Sequence, residues 1–400
     1  MKKTVIIFGI TMSLMISLIA QGSAYGQEEI LEEEVSNQED LVIEEEVVII
    51  ELSLEETIEY ALENSLDMKV IRSALDVAEI VYEDDIRDLR DLKRNLKVEP
   101  RLFIMAGVDD ATVQKKLVEN GYMEKGTLFS LNRAKWDVET TENKVKYNVE
   151  KAYFDLLQVE KELQIAEENL ALAQKQYDHG KLRLDVGMIS QQQLLGLEFN
   201  LSQAMSAHES ARMYYGLQKM SFRNTLGMPF DKEFELTDTI EVREYEEIDL
   251  EASIESALEE NLAVRMAKEN YELTELMLEA VAVKYPDITY RYRTQAAEVA
   301  KAEQSYVQTK NGIEMQVRAS VVGLHTAEKQ IATFEKAVFQ ASEGVRIAEL
   351  SFELGQNTAT EVAQANLNLM NAKKNLAQQI HAFNMALLDY KYSVGIGKGF

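Results

Sequence analysis

From Val145 onward the apolar residues recur at alternating spacings of four and three: Val149, Ala152, Leu156, Val159, Leu163, Ala166, Leu170, Ala173 and Tyr177. About five heptads of this alternation mark a coiled-coil seam. The run ends in Arg183-Leu184-Asp185-Val186-Gly187-Met188-Ile189-Ser190. Here the glycine permits a reversal of the chain, and Ser190 is placed to cap a new helix. A second seam follows at Leu194, Leu197, Leu201, Ala204, Ala211, Tyr215 and Phe222. Two such stripes joined by a short loop bury against each other, which predicts an antiparallel helical hairpin over 145–222. Its first arm, from Asn143 to Gly180, would be about 55 Å long.

The pattern returns at a constant offset of 168 residues. The outgoing seam becomes Ile313, Val317, Ser320, Leu324, Ala327, Ile331, Phe334, Val338, Ala341, Val345, Ala348 and Phe352, and the tip glycine becomes Gly355. The return seam becomes Val362, Ala365, Leu369, Ala372, Leu376, Phe383 and Tyr390, and Thr225-Leu226-Gly227 falls on Ser393-Val394-Gly395. Identity between the copies is low while the pattern is kept, which is the signature of a structural repeat.

Each hairpin is preceded by a first helix. Ser53 is placed as its N-cap with Glu56 three residues on, and Ile58, Ala61, Leu62, Leu66, Val70 and Ala74 keep helical spacing. The same opening recurs at Asp249-Leu250-Glu251-Ala252-Ser253-Ile254, followed by Ala257, Leu258, Leu262 and Met266. Gly121 and Gly126 read as a turn between helices. The fold class is therefore all-α: long antiparallel coiled-coil hairpins in two tandem repeats.

Composition narrows the options. A net charge of −27 argues against a nucleic-acid partner, since phosphate binding needs basic patches. The absence of cysteine excludes disulfides, thiolate metal sites and lipid attachment to a cysteine. Residues 1–26 read as a signal peptide: Lys2 and Lys3, an apolar run from Val5 to Ala20, then small residues around Ser23-Ala24-Tyr25-Gly26. Residues 27–51 form an acidic tract whose like charges predict a disordered leader, with Val47-Val48-Ile49-Ile50 able to add a short strand. The domain reading is 52–227 for the first repeat, 228–247 for a linker and 248–397 for the second repeat.

Little in the sequence suggests chemistry. His179, His208, His325 and His381 are isolated, and His208 falls on the return seam where the other copy has Leu376. No nucleophile elbow, phosphate loop or dinucleotide fingerprint occurs. Trp136, Tyr147, Tyr153 and Tyr177 read as packing residues, and the mixed charges of Glu160-Lys161-Glu162 as a solvated face. No enzyme activity, cofactor or metal is expected.

Leu54-x3-Ile58-x2-Ala61-Leu62-Glu63-Asn64, Ala152-Tyr153-Phe154-Asp155-Leu156-Leu157 and the Arg183–Gly187 tip together resemble the TolC-type outer-membrane efflux protein family. The resemblance runs over about residues 52–397, in two copies. It implies a homotrimeric tube of coiled-coil helices that carries drugs, peptides or proteins out of the cell. It also implies a periplasmic adaptor met by the hairpin tips, an inner-membrane transporter, and a location in the cell envelope. One departure is plain. The family places two long barrel strands between the first and second long helices of each repeat. Here Pro100–Met105 with Val113–Leu117, and Tyr285–Gln308, do not offer strand pairs of the roughly 9–11 alternating residues needed. The barrel is expected to be absent or vestigial, and the alternative function is a non-conducting coiled-coil envelope scaffold or adaptor-binding protein. The residues expected to dock the adaptor are Arg183, Leu184, Asp185, Val186, Gly187 and Met188 at the first tip and Phe352, Leu354 and Gly355 at the second.

Overall fold

A computed structural model describes residues 49–98 and 111–395. The expected signal peptide, most of the acidic tract and Pro100–Met105 lie outside the described residues. The chain begins with a short strand β1 (Ile50–Leu52), then α1 (Leu54–Asn64), α2 (Leu66–Val98), α3 (Ala111–Glu119), α4 (Tyr122–Asp185) and α5 (Gln191–Leu226). Strand β2 (Phe234–Leu236) leads into α6 (Leu250–Glu260), α7 (Leu262–Ala282), α8 (Tyr290–Glu353) and α9 (Ala359–Val394).

The repeat is exact in length. Helices α4 and α8 have 64 residues each and α5 and α9 have 36, in the same register offset that the seams display. At 1.5 Å per residue, α4 and α8 are each about 96 Å long, so the first arm extends well beyond Asn143–Gly180 at both ends. Gly126 lies inside α4; only Gly121, at φ 80°, makes the predicted turn. The two hairpins pack side by side, α4 against α9, giving the helix order α5, α4, α9, α8. Leu157 and Ile165, off the α4–α5 seam, are buried within this single chain.

The first helix of each repeat is broken once. Ser65 (ψ 129°) separates α1 from α2, and Asn261 (ψ 123°) separates α6 from α7 while its side chain accepts from the Ala263 and Val264 amides. One extended residue rotates the helical register, so the apolar spacing does not continue as one core face. Leu66 is 77% exposed and Val70 also faces solvent.

The largest core cluster sits where the first repeat meets the linker. Tyr153, Phe222 and Phe234 stack with ring centroids 6.2 and 5.2 Å apart. The Tyr153 hydroxyl lies 3.0 Å from Asp238 and 3.3 Å from the Leu52 carbonyl, and burial pushes its pKa well above the ordinary tyrosine value. The end of the acidic leader and part of the linker are thus ordered structure. β1 pairs in parallel with β2, Ile50 opposite Phe234 and Leu52 opposite Leu236. Among the described residues these two three-residue strands are the only strands, and α7 and α8 are joined by a short turn without one. No described helix is long and apolar enough to cross a membrane.

Candidate functional site

Both hairpin tips are built by the same local devices. At the first, Gly187 takes φ 76°, its amide donates to the Leu184 carbonyl (2.8 Å), and the Met188 amide donates to the Arg183 carbonyl (2.8 Å). This crossed pair satisfies carbonyls that the helix end would otherwise leave open. Ser190 then starts α5 through a reciprocal cap with Gln193. At the second tip Gly355 (φ 72°) and Gln356 repeat the pattern onto Phe352 and Ser351, and Thr358 forms the cap with Glu361. The Thr358 amide and hydroxyl hold the Glu361 carboxyl below the usual carboxylate range. These bonds are local, so the tips need no tertiary partner to close.

Tertiary structure brings the two tips together. The Arg183 guanidinium lies 4.9 Å above the Phe352 ring, a cation–π contact across the hairpins. Below it runs a groove of about 190 Å³ lined by Leu172, His179, Leu197, Phe352 and Val362 among others. Of the residues read as docking groups, Val186 (68%), Met188 (75%) and Leu354 (67%) are exposed, Asp185, Gly187 and Gly355 are also on the surface, and Phe352 is half-buried. Leu184 and Arg183 are half-buried, as is Ile189. Leu182, Leu350 and Ile347 add exposed apolar area beside the tips. Gly180, which reads as an arm end in the sequence, is a buried helical residue; a Cβ there would run into Leu197 Cδ1, so its absence lets α4 and α5 close up just below the turn.

A set of polar pairs joins α4 to α9 further down the molecule, and the seam pattern did not single them out. Glu150 accepts from Lys391 Nζ (3.0 and 3.2 Å) and from the Tyr392 hydroxyl (2.7 Å). Tyr147 donates to Asp389 (2.9 Å), His381 pairs with Asp155 (2.7 Å), Lys374 with Glu162 (2.8 Å) and Lys373 with Glu168 (2.7 Å). The partners run in opposite directions along the two helices, so this polar ladder sets one antiparallel register. A partial signal exists in the sequence: a carboxylate at 150 lies between apolar seam positions.

The histidines keep modest roles. His208 sits on the α4–α5 seam with Glu167 at 3.9 Å, and His325 is exposed. Among the described residues no group of three or more His, Asp or Glu is placed to hold a metal ion. Trp136 stacks edge-on against Phe129 at 6.4 Å, and Tyr147 against Tyr392 at 5.4 Å, as packing residues do.

No protein-family model matches the sequence, and no curated protein matches it. Solved structures do. The Campylobacter jejuni CmeC outer membrane channel is 12% identical, with a TM-score of 0.65 over 87% of this chain and 86% of that one. The outer membrane protein VceC of Vibrio cholerae is 14% identical, with a TM-score of 0.64 over 86% of this chain and 96% of that one. The Neisseria gonorrhoeae MtrE outer membrane channel, in its open state, is 12% identical, with a TM-score of 0.62 over 86% and 89%. What these likenesses establish is the fold: the chain has the TolC-type architecture of tandem helical hairpins seen in outer-membrane channels.

Proposed function

We propose that the chain is a conduit component of an export assembly in the cell envelope, working with an adaptor protein and, through it, an inner-membrane transporter. The observation that carries this reading is the pairing of two exposed apolar tips, Val186 and Met188 beside Leu354, at one end of helices about 96 Å long. A turn that only closed a coiled coil would be satisfied by its backbone bonds and polar caps. The reading includes a homotrimer. Helices α5 and α8 are the outer helices of the four-helix layer, α7 packing along part of α8; Leu195, Phe199 and Met213 are exposed on one and Met315, Val322 and Phe339 on the other. Three copies laid edge to edge would close a tube of helices. In this reading 52–227 and 248–397 are the two repeats of each subunit.

A second reading, a non-conducting envelope scaffold that binds the adaptor, is favoured by the strand content, because the described residues hold no strand longer than three. The variant Val186→Asp with Met188→Asp tests the docking common to both. It should keep wild-type helicity and lose adaptor capture, and capture at unchanged affinity would reduce the tip to a turn. Light scattering tests the trimer, and a stable monomer at high concentration would favour the scaffold. Restoration of substrate export in a strain deleted for the gene separates conduit from scaffold.

A further inference from the structure

We infer that the two hairpins are joined, a short way below the tips, through a bound water molecule held by Gln176, Asn200 and Asn366. Among the described residues four buried side-chain polar atoms have no hydrogen-bond partner in the protein: Gln176 Nε2, Asn200 Nδ2, Asn366 Oδ1 and Gln379 Oε1. Such atoms are rare in native proteins, and each calls for a cause. The first three belong to residues that line one cavity of about 50 Å³ between α4, α5 and α9. Asn366 is 7% exposed. Gln176 lies eleven residues before Gly187, which places the cavity about 16 Å below the first tip. These amides are not part of the pattern that each hairpin repeats. At the offset of 168 residues Gln176 corresponds to Gly344, Asn200 to Asn368 and Asn366 to Glu198, and all three counterparts are exposed. The amides are buried because one hairpin meets the other there.

The walls of the cavity select its occupant. None of the side chains lining it is charged, so an ion would exchange its hydration for neutral amides alone. An apolar occupant would leave the amides unpaired. A water needs only about 10–15 Å³ and two to four polar partners. One water accepts from Gln176 Nε2 and Asn200 Nδ2 and donates to Asn366 Oδ1. Because it both donates and accepts, it also serves an amide turned the other way. Around it stand Ala173, Ala204 and Ala363, one from each helix. Methyl groups of one size give packing little shape by which to fix a register, whereas a buried polar contact at a helix seam specifies one at some cost in stability. The water ties α9 to both arms of the first hairpin at a single position, in a conduit subunit and in a scaffold alike.

A crystal structure of the intact protein, at a resolution that shows ordered solvent, tests the site directly. One peak about 2.7–3.2 Å from all three amide groups is expected. No peak there, or amides bonded directly to one another, overturns the inference. So does anomalous signal in the cavity after a rubidium or bromide soak, which would make it an ion site. Thermal melts give a second reading. Asn200→Ala and Asn366→Ala should each lower Tm by about 2–4 °C. Together they should lower it by clearly less than the two losses added, since each breaks the same bridge. Asn368→Ala, at the exposed counterpart of Asn200, should shift Tm by less than about 1 °C. Additive losses, or a loss at Asn368 equal to that at Asn200, also overturn the inference. The wild-type map decides the matter even where a variant fails to fold.

Discussion

Glu150 offers a quantitative test of what holds the two hairpins together. It is 4% exposed, and its carboxylate accepts from Lys391 and Tyr392, both on α9. Tyr392 is buried too, and burial, then the carboxylate, hold its hydroxyl far above the usual tyrosine range, so it remains a donor throughout the accessible pH. Glu150→Ala removes the acceptor for both. The Lys391 side chain is 62% exposed, so its ammonium returns to water at little cost. The Tyr392 hydroxyl cannot, and an unsatisfied buried donor costs about 1–3 kcal/mol. The void left by the removed side chain adds to this, for a total of roughly 3 kcal/mol. Tyr392→Phe leaves the carboxylate with Lys391 alone and should cost about 1–2 kcal/mol. Lys391→Ala should cost about 1 kcal/mol or less, because half of the pair is solvated. Urea titrations followed by circular dichroism give the three values. The expected order is Glu150→Ala, then Tyr392→Phe, then Lys391→Ala. A loss under about 0.5 kcal/mol for Glu150→Ala, the size of an ordinary surface change, would refute the view that this cluster joins the hairpins. So would finding Lys391→Ala the most damaging.

Other outcomes follow from single residues. Burial, with Glu235 adding to it, raises the Glu160 pKa against the opposing Tyr215 hydroxyl bond and Lys219. A carboxyl whose pKa is raised on folding stabilises the native state below the unfolded carboxylate range and loses that contribution as pH rises through the native pKa. Glu160→Gln should therefore raise the urea midpoint at about pH 7, and the gain should vanish near pH 4. Gly187→Ala should cost about 1–2 kcal/mol, since the added Cβ meets no atom and only the positive φ is strained. Gly227→Ala should cost more, because its φ is 66° and the new Cβ would also press on the Asn64 carbonyl at 3.3 Å; equal losses in thermal melts would refute that contact.

The sequence determined this protein's long-range plan because that plan is written in local, periodic terms. Seam positions such as Val149, Leu156, Leu324 and Ile331 are buried as the 4–3 spacing requires, and the tip glycines and Ser190 act through bonds within a few residues of themselves. Ser65 and Asn261 escaped the pattern because one extended residue shifts helical phase without changing composition; the capping chemistry of Asn261 was the signal available. Tertiary structure alone decided the rest. Nothing in the heptads says that α4 turns a second face to α9, which is why Leu157 and Ile165 are interior and Glu150 meets Tyr392 across 242 residues. Nor does periodicity place Arg183 over Phe352, or fold the end of the leader against Phe234. A helix carries its intrachain hydrogen bonds and its stripe with it, whereas which stripe it presents to a distant helix depends on shape and on charges that pair only once both are in place.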